Sequence, residues 1–552
     1  MRKKNAVIAV GVLMLGAAAF VMVRHGGEST PREVVAMLPD AVASVIASPA
    51  AAQSPVASAA ADLSALKWET DNEEPLIGSE KAVRGGIFND ILGAYPLTFR
   101  IYGPNSNDAF ANWSREYSAD FGLVDRHPTT DKFIPMLATH WSVQDDHKTI
   151  YFKLDPDARW SDGEPITADD YVFAAEFRRS PLIVDPFQNA YMENYFESVE
   201  KIDDYTLKIV GKKESWRPLY DYNFSPIPKH ATKLDANWPE RENYAPPVVP
   251  GPYVLSSFKQ GERIEFTRIP NWWGDNKRYF TGMFNPDKIN LRVIESPDLQ
   301  FDLFKKHELD ILNVSRARQW ETEMDFDAIS NGYVHRKRIF TDAPQGLSGI
   351  IFNLQNPMFA NKDFRKGLQY LFNFEELNKN LMFNSYYRQY SMFTGTEFEN
   401  HSLKGYPFDP KKAREYLAKA GYDKRGSDGI LENAKGEKAR FTLLYNSKSL
   451  ESHLTVVKNA YRKGGVDITL QLLEGGASFN KLLERAYDAS LLSMTADVYP
   501  DPHQYFSSEF KTKKQNNNFW GFGDPEVDKL IDVYRFDMDA SKRMDAMAQL
   551  DA

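Results

Sequence analysis

The stretch Trp160–Asp170 constrains the fold of this chain more than any other segment, because it predicts a turn and a helix start directly behind a strand. Thr149–Leu154 has the β-branched and aromatic content of a strand, and the Asp-Gly pair at 162–163 supplies a turn. Thr167 precedes Asp170 by the spacing of a capping box, and the apolar residues from 171 to 177 fit one helix face. The segment therefore predicts a strand, a turn and a capped helix, with no evident chemistry of its own.

Short strands and helices alternate along the rest of the chain, as expected for α/β layers. The predicted strands are Thr206–Val210, Arg263–Arg268, Lys288–Ile294, Gly349–Leu354, Phe441–Tyr445 and Asp467–Leu472. The predicted helices are Ala168–Phe177, Pro297–Lys306, Lys362–Tyr370, Pro410–Ala420, Ser452–Lys463 and Ser478–Arg485. A chain of 552 residues is too long for a single compact core and predicts about two to four domains.

Charge and cysteine content exclude several classes of protein. The net charge of -9 and the pI near 5.7 give no basic surface for nucleic acid, which would need clustered lysines and arginines. The absence of cysteine excludes thiol catalysis, cysteine-ligated metal sites, disulfide bonds and a lipid anchor on cysteine. We therefore expect no nucleic-acid partner and no cysteine chemistry.

The first 66 residues predict export. Three basic residues at positions 2–4 precede the uncharged run Ala6–Val23, and Arg24 ends that run. Residues 1–24 are predicted to be a signal peptide, or else an uncleaved inner-membrane anchor, since the run approaches the roughly 20 residues that cross a bilayer. Residues 25–66 are rich in alanine, serine and proline and are predicted to be a flexible linker. In either case we expect the bulk of the chain to face the periplasm.

Several further motifs follow one another in a recognisable order. They are Phe133–Trp141, Asp146–Thr149, Pro270–Gly274, Gly349–Leu354, Asp363–Leu368, Phe408–Ala413 and Ala420–Tyr422. Together with Trp160–Asp170 they resemble the family 5 extracellular solute-binding proteins, the periplasmic oligopeptide- and dipeptide-binding proteins of ABC importers. The resemblance runs from about Gly85 to the end of the sequence. Gly85–Phe88 and Tyr95–Arg100 are most similar to the subgroup that includes the microcin C-binding protein.

The architecture that the resemblance implies is an α/β fold of two lobes, with an extra small domain inserted in the first lobe. The first lobe would comprise residues 67–116 and 201–295, the inserted domain residues 117–200, and the second lobe residues 296–510. Residues 511–552 would form a C-terminal helical segment. The family's returning tail of roughly 50 residues is expected to be missing, which would leave a sheet edge of the first lobe uncovered.

The function that the resemblance implies is that of the substrate-binding component of an ABC importer. Such a protein would capture a peptide or peptide-like solute in the periplasm as a monomer, without a cofactor. It would close its lobes over the ligand and deliver it to the permease. Two alternatives stay open, namely the same fold binding an oligosaccharide, an opine or chelated nickel, and a membrane-tethered solute sensor.

The loop Thr495–Pro502 resembles the family's ligand-binding loop. In peptide-binding members an aspartate at the position of Asp497 pairs with the α-ammonium of the peptide, whereas a purely structural role would be to cap the turn. A charge-assisted bond in a closed cleft would contribute about 1.5–3 kcal/mol. The predicted ligand-binding residues are Asp497, Tyr499, His503 and Met494.

Two departures from the family pattern bear on the choice of ligand. Met494 stands where peptide binders often carry a tryptophan, and Leu491 stands where some carry an arginine for the peptide's carboxylate. Arg485 lies nearby but in a shifted register. A clamp specific for the carboxylate of dipeptides or tripeptides is therefore unsupported, and a peptide anchored by its amino end, or a modified peptide, fits better.

No pattern in the sequence supports catalysis. Ser478 and Lys481 match the Ser-x-x-Lys motif of penicillin-recognising hydrolases, but so short a pattern arises often by chance and no convincing Lys-Thr-Gly partner follows. The histidines lack metal-ligand spacing, and no phosphate-binding glycine loop is present. We therefore predict a protein that is not an enzyme and that holds no metal or cofactor.

Overall fold

The structure is a computed structural model that describes residues 63–552, apart from residues 107, 342, 474 and 515. The predicted signal or anchor segment, residues 1–24, and most of the predicted linker, residues 25–66, lie outside the described residues. Within the described part of the chain, no helix is both long and apolar enough to cross a membrane.

The described strands form three four-stranded sheets and two small two-stranded sheets. They are β1 (Ile87–Leu92), β2 (Val124–Arg126), β3 (Phe133–Pro135), β4 (Ala138–Val143), β5 (Thr149–Leu154), β6 (Phe196–Asp203), β7 (Thr206–Gly211), β8 (Tyr253–Lys259), β9 (Arg263–Arg268), β10 (Lys288–Val293), β11 (Leu347–Phe352), β12 (Lys424–Arg425), β13 (Leu431–Glu432), β14 (Arg440–Tyr445), β15 (Asp467–Leu472) and β16 (Ala489–Met494).

The described α-helices pack around these sheets or connect them. They are α1 (Ala109–Ser114), α2 (Ala168–Arg179), α3 (Pro186–Tyr195), α4 (Pro218–Asp221), α5 (Trp238–Arg241), α6 (Pro297–Lys305), α7 (Ala317–Thr322), α8 (Asp327–Ser330), α9 (Pro357–Ala360), α10 (Lys362–Leu371), α11 (Phe374–Leu381), α12 (Pro410–Lys419), α13 (Glu451–Lys463), α14 (Gly475–Leu483), α15 (Pro502–Phe506), α16 (Pro525–Phe536) and α17 (Ala540–Asp551).

All thirteen predicted elements are present, namely the strand Thr149–Leu154 and the six strands and six helices given above. Their ends differ from the predicted ends by no more than three residues. This agreement is expected because each of these segments has local signals, such as a proline at the first helical position in α6 and α12, that do not depend on distant contacts.

The strands of the second sheet are inserted in the chain between two strands of the first sheet. The first sheet has the order β1-β10-β9-β8, with β1 parallel to β10, and its core includes Phe99, Tyr253 and Leu291. The second sheet has the order β4-β5-β7-β6, is antiparallel throughout, and lies in the chain between β1 and β8. The predicted bound of the inserted domain at residue 200 falls inside β6, whose partner β7 belongs to the same sheet. The domain bounds as a whole stay a prediction.

The third sheet belongs to the later half of the chain and has the order β11-β16-β14-β15. Strand β16 is antiparallel to β11 and parallel to β14, so the sheet is mixed. Its core includes side chains of α10 and α12, among them Phe364 and Leu417. Strand β16 thus ends beside the edge strand β11, and the loop that follows it leaves the sheet at this point.

The stretch Trp160–Asp170 forms the predicted turn and capped helix start. Thr167 and Asp170 make the capping box at the start of α2, with the Asp170 carboxylate accepting from the Thr167 amide at 2.9 Å. The same carboxylate accepts from the Trp160 indole at 3.4 Å and from the Lys229 amide at 3.0 Å. Because Asp170 is only 4% exposed, it joins the turn, the helix and a distant loop from inside the protein.

Replacing Asp170 should destabilise this part of the fold. Asp170→Ala removes the acceptor of three buried or partly buried donors, and we expect it to lower the free energy of unfolding by about 2–4 kcal/mol. Asp169→Ala is the matched control, because Asp169 forms only partly exposed ion pairs with Lys201 and Lys229 and should cost less than about 1 kcal/mol. Urea unfolding followed by far-ultraviolet circular dichroism measures both changes. Equal effects of the two substitutions would contradict this assignment.

Candidate functional site

The loop that follows β16 carries the predicted ligand residues Asp497 and Tyr499. The side chain of Asp497 is exposed, and its Oδ1 accepts from the backbone amide of Tyr499 at 3.4 Å. This contact is a long one, and it is the local turn interaction expected of a purely structural aspartate. The second carboxylate oxygen is directed elsewhere.

Tyr220 reaches Asp497 from a distant part of the chain. It lies in α4, after β7 of the second sheet, and its hydroxyl donates to Asp497 Oδ2 at 2.5 Å. Burial, together with the neighbouring Asp497 carboxylate, raises the pKa of Tyr220. The phenol therefore stays protonated, and its hydroxyl donates a hydrogen bond to the carboxylate.

Aromatic rings surround this hydrogen bond. The Tyr499 ring meets the Tyr220 ring at 4.9 Å and 83° and the Trp216 ring at 5.4 Å and 88°, both edge-to-face. The Trp216 indole also donates to the carbonyl oxygen of Tyr534, in α16, at 3.1 Å. We refer to Trp216, Arg217, Tyr220, Tyr499 and Tyr534 as the cross-cleft cluster. It joins the segment after β7 to the loop after β16 and to α16.

Arg217 lies at the centre of the cross-cleft cluster. Its guanidinium carbon is 4.9 Å from the ring centre of Tyr220 and 5.2 Å from that of Tyr499. Its Nε donates to Asp221 Oδ1 at 3.0 Å, and the two side chains are 11% and 12% exposed. Burial lowers the pKa of Arg217, but Asp221 and the neighbouring tyrosines outweigh that effect and raise it. The arginine therefore stays charged, and the Asp221 carboxylate balances its charge.

Arg126 brings a second guanidinium to Tyr499. It ends β2, and its guanidinium carbon lies 5.0 Å from the centre of the Tyr499 ring. Its ion pair is with Asp131, at 2.7 Å, in the turn between β2 and β3. The Tyr499 ring is therefore in contact with two arginines as well as two aromatic residues.

The other two predicted residues, His503 and Met494, lie apart from this cluster. His503 is in α15, where its ring contacts Phe510 at 5.2 Å and its Nε2 lies 3.6 Å from Glu509. Burial and then Arg535 lower the pKa of His503, which favours the neutral imidazole. Met494 ends β16 opposite Leu347 of β11 and is partly exposed, on the strand that leads to Asp497.

Arg485 and Leu491 have structural roles. Arg485 is buried and donates to the carbonyl oxygens of Asn518 at 2.9 Å and Phe510 at 2.7 Å. Leu491 lies in β16 and packs against the core of the third sheet. Arg485 therefore donates these hydrogen bonds within the protein, and the absence of a carboxylate clamp stays a prediction.

Apart from Tyr499, the members of the cross-cleft cluster were not predicted from the sequence, and neither was Arg126. A local signal exists only in the run Trp216–Tyr220, which combines two aromatic residues, an arginine and a proline. Tyr220 and Asp497 are 277 residues apart, so a single sequence gives no reason to bring them together.

The structure also shows where Ser478 lies and how the potential metal ligands are arranged. Ser478 is buried in α14, so its hydroxyl is not accessible to a substrate. Among the described residues, no group of three or more histidine, aspartate or glutamate side chains is arranged to hold a metal ion.

The profile of the bacterial extracellular solute-binding proteins, family 5, matches residues 132–518, which is more than half of the chain. The chain belongs to this family. One relative, a putative binding protein of Brucella suis, is 26% identical over 437 residues, covering 72% of this chain and 70% of the relative. The probable peptide-binding protein YejA of Agrobacterium fabrum is 24% identical over 483 residues, covering 79% of this chain and 75% of the relative.

The comparison with solved structures bears on the fold. The oligopeptide-binding protein AppA of Bacillus subtilis, solved with a nonapeptide, matches with a TM-score of 0.70 and 22% identity, covering 85% of this chain and 91% of that one. The predicted two-lobe α/β fold is thereby confirmed. The protein is a solute-binding protein of the class that serves ABC importers, a class that is normally not enzymatic.

Breaking the central ion pair should produce a pH-dependent loss of stability. Arg217→Met leaves the Asp221 carboxylate buried without its cation, and we expect a loss of about 3–5 kcal/mol of unfolding free energy at pH 7. Burial raises the pKa of Asp221 and Arg217 opposes the rise, so removing Arg217 raises that pKa further. Because the protonated carboxyl carries no charge, the loss should shrink as the pH falls towards this pKa. Urea denaturation at pH 7 and pH 5 measures the difference.

The double variant Arg217→Met with Asp221→Leu is the control, since it removes the uncompensated charge as well. Its stability should exceed that of Arg217→Met at pH 7 and differ less between the two pH values. A loss that is the same at both pH values would rule out the buried Asp221 charge as its cause.

Proposed function

We propose that this protein captures a peptide or peptide-like solute in the periplasm and presents it to an ABC permease. Membership of family 5 and the similarity to a probable peptide-binding protein support this proposal. The observation that carries it is the Tyr220–Asp497 hydrogen bond, because it brings an exposed carboxylate and a phenol together from two distant parts of the chain.

The α-ammonium of a peptide would bind beside the Tyr220–Asp497 hydrogen bond, in contact with both side chains. An ammonium group has three N–H donors, and this site offers it the carboxylate oxygens of Asp497 and a lone pair of the Tyr220 hydroxyl. Because the Tyr220 hydroxyl already donates its hydrogen bond to Asp497, the phenol oxygen is oriented to accept a hydrogen bond from the ligand. A ligand without a cation would have to desolvate the carboxylate with no compensating bond.

The remaining wall of the site would come from the same loop and the cross-cleft cluster. Tyr499 offers an aromatic surface, and Met494, on the strand leading to Asp497, offers an adaptable apolar side chain to the ligand. His503 would act indirectly, by packing α15 against Phe510 and so supporting the loop from behind. These assignments favour anchoring of the amino end over recognition of a particular side chain.

Ligand binding would be coupled to closure of the cleft. Asp497 and Tyr220 would lie on opposite sides of the cleft. An ammonium group held by both residues would therefore bind the closed form more tightly than the open form. A ligand shifts such an equilibrium only by this difference in affinity. The closed monomer would then be the form that the permease recognises.

Replacing the carboxylate by its neutral isostere tests the ammonium site. We expect Asp497→Asn to weaken the binding of unmodified peptides by about 10- to 100-fold, which corresponds to one charge-assisted hydrogen bond. Isothermal titration calorimetry with tri- to nonapeptides measures the affinity. Asp325→Asn, at an exposed position, is the matched control and should leave binding unchanged. Unaltered peptide affinity in Asp497→Asn would refute the ammonium assignment.

The class of ligand can be tested by identifying what the protein carries when it leaves the cell. Native mass spectrometry of protein purified from the periplasm should reveal bound species whose fragment spectra contain amino-acid residues. Co-purification of an oligosaccharide, an opine or a metal chelate, together with failure of peptide libraries to bind, would instead favour a non-peptide solute.

A further inference from the structure

Arg126 is the cationic group of the site whose charge is least well balanced. Its ion-pair partner Asp131 is 72% exposed whereas the Arg126 side chain is 16% exposed, so the pair is open to solvent on the side of the carboxylate and is weakened by salt. Arg217, by contrast, is paired with a buried aspartate and also donates to the Tyr534 hydroxyl at 3.4 Å. Of the two arginines at the Tyr499 ring, Arg126 therefore has the charge that is available to a ligand.

The Nε of Arg126 gives a second, independent reason to expect a ligand. This atom is buried and has no hydrogen-bond partner among the described residues. A buried N–H donor without an acceptor is unfavourable, and such donors are rare in folded proteins unless another group satisfies them. A guanidinium that lacks an acceptor at Nε matches one edge of a carboxylate, which binds side-on through two parallel N–H···O bonds.

Arg126 also lies close to the proposed ammonium site. The contacts from Arg126 to Tyr499, from Tyr499 to Tyr220 and from Tyr220 to Asp497 measure 5.0, 4.9 and 2.5 Å. An extended peptide advances about 3.3–3.6 Å per residue, so a carboxylate within the first few residues can reach Arg126 while the amino end stays at Asp497.

We propose, resting on the peptide-binding function above, that Arg126 binds a ligand carboxylate near the amino end and thereby selects peptides with an acidic side chain among their first residues. The ligand carboxylate would take the place of Asp131 at the guanidinium, and it would also satisfy Nε once the side chain turns out of its buried position. Exchange is favourable because an exposed ion pair contributes little, whereas the same contact inside the cleft is screened less by water and salt. Arg126 is thus a specificity-determining residue contributed by the strand β2.

Matched pairs of synthetic peptides test this specificity. The peptides are tetra-alanines with glutamate at position 1, 2 or 3, each paired with its glutamine counterpart and amidated at the carboxyl end, so that the side chain is the only carboxylate. Calorimetric titration gives the ratio of affinities within each pair. For wild-type protein we expect the best glutamate peptide to bind about 10- to 100-fold more tightly than its glutamine counterpart.

Variants of Arg126 should change this ratio. Arg126→Gln should bring it close to one, and Arg126→Lys, which keeps the charge but cannot bind side-on through Nε, should reduce it to an intermediate value. Arg318→Gln, at an exposed position of α7, is the control and should keep the wild-type ratio. Circular dichroism checks that each variant is folded. If Arg126→Gln does not fold, Arg126→Lys still tests the proposal.

The outcomes separate this inference from the function on which it rests. A ratio near one in wild-type protein, or a ratio that Arg126→Gln leaves unchanged, would overturn the role of Arg126 while leaving peptide binding intact. Failure of every peptide, acidic or neutral, to bind the wild-type protein would overturn both proposals.

Discussion

The ion pair of Arg217 with Asp221, enclosed by aromatic rings from distant parts of the chain, is the interaction on which the candidate site depends. A buried charge pair is stabilising only when its geometry is good and its remaining donors are satisfied. Here the tyrosine and tryptophan rings supply cation–π contacts, and the Tyr534 hydroxyl accepts a further bond. This arrangement holds α4 against the loop after β16, and so brings Tyr220 to Asp497.

The apolar cores of the sheets and the cross-cleft cluster bear on how the protein would respond to a ligand. The third sheet has an apolar core of its own, whereas Phe284 packs against the cores of both the first and the second sheet. Trp216, Tyr499 and Tyr534 of the cross-cleft cluster also belong to an apolar cluster with Phe398 and Met547. On the proposed function, a ligand would shift the balance between open and closed forms by the difference in its affinity for the two.

The sequence predicted the local elements well because their signals are local. The capping box at Thr167 and Asp170 and the prolines that begin α6 and α12 act within a few residues, and the helices and strands around them lie where periodicity indicates. Asp497 was proposed from the family resemblance alone. Tyr220 and Arg126 were missed because their importance comes from contacts across the cleft, and no local pattern marks a side chain whose partner is hundreds of residues away.

The central claim is that the amino end of a peptide binds beside the Tyr220–Asp497 hydrogen bond, in contact with both side chains. A crystal structure of the protein with a bound peptide tests it most directly. The account predicts a terminal nitrogen within about 2.7–3.2 Å of the Asp497 carboxylate and within the same distance of the Tyr220 hydroxyl oxygen. A peptide whose amino end lies elsewhere, with the Tyr220–Asp497 bond unchanged and facing no ligand atom, would contradict it.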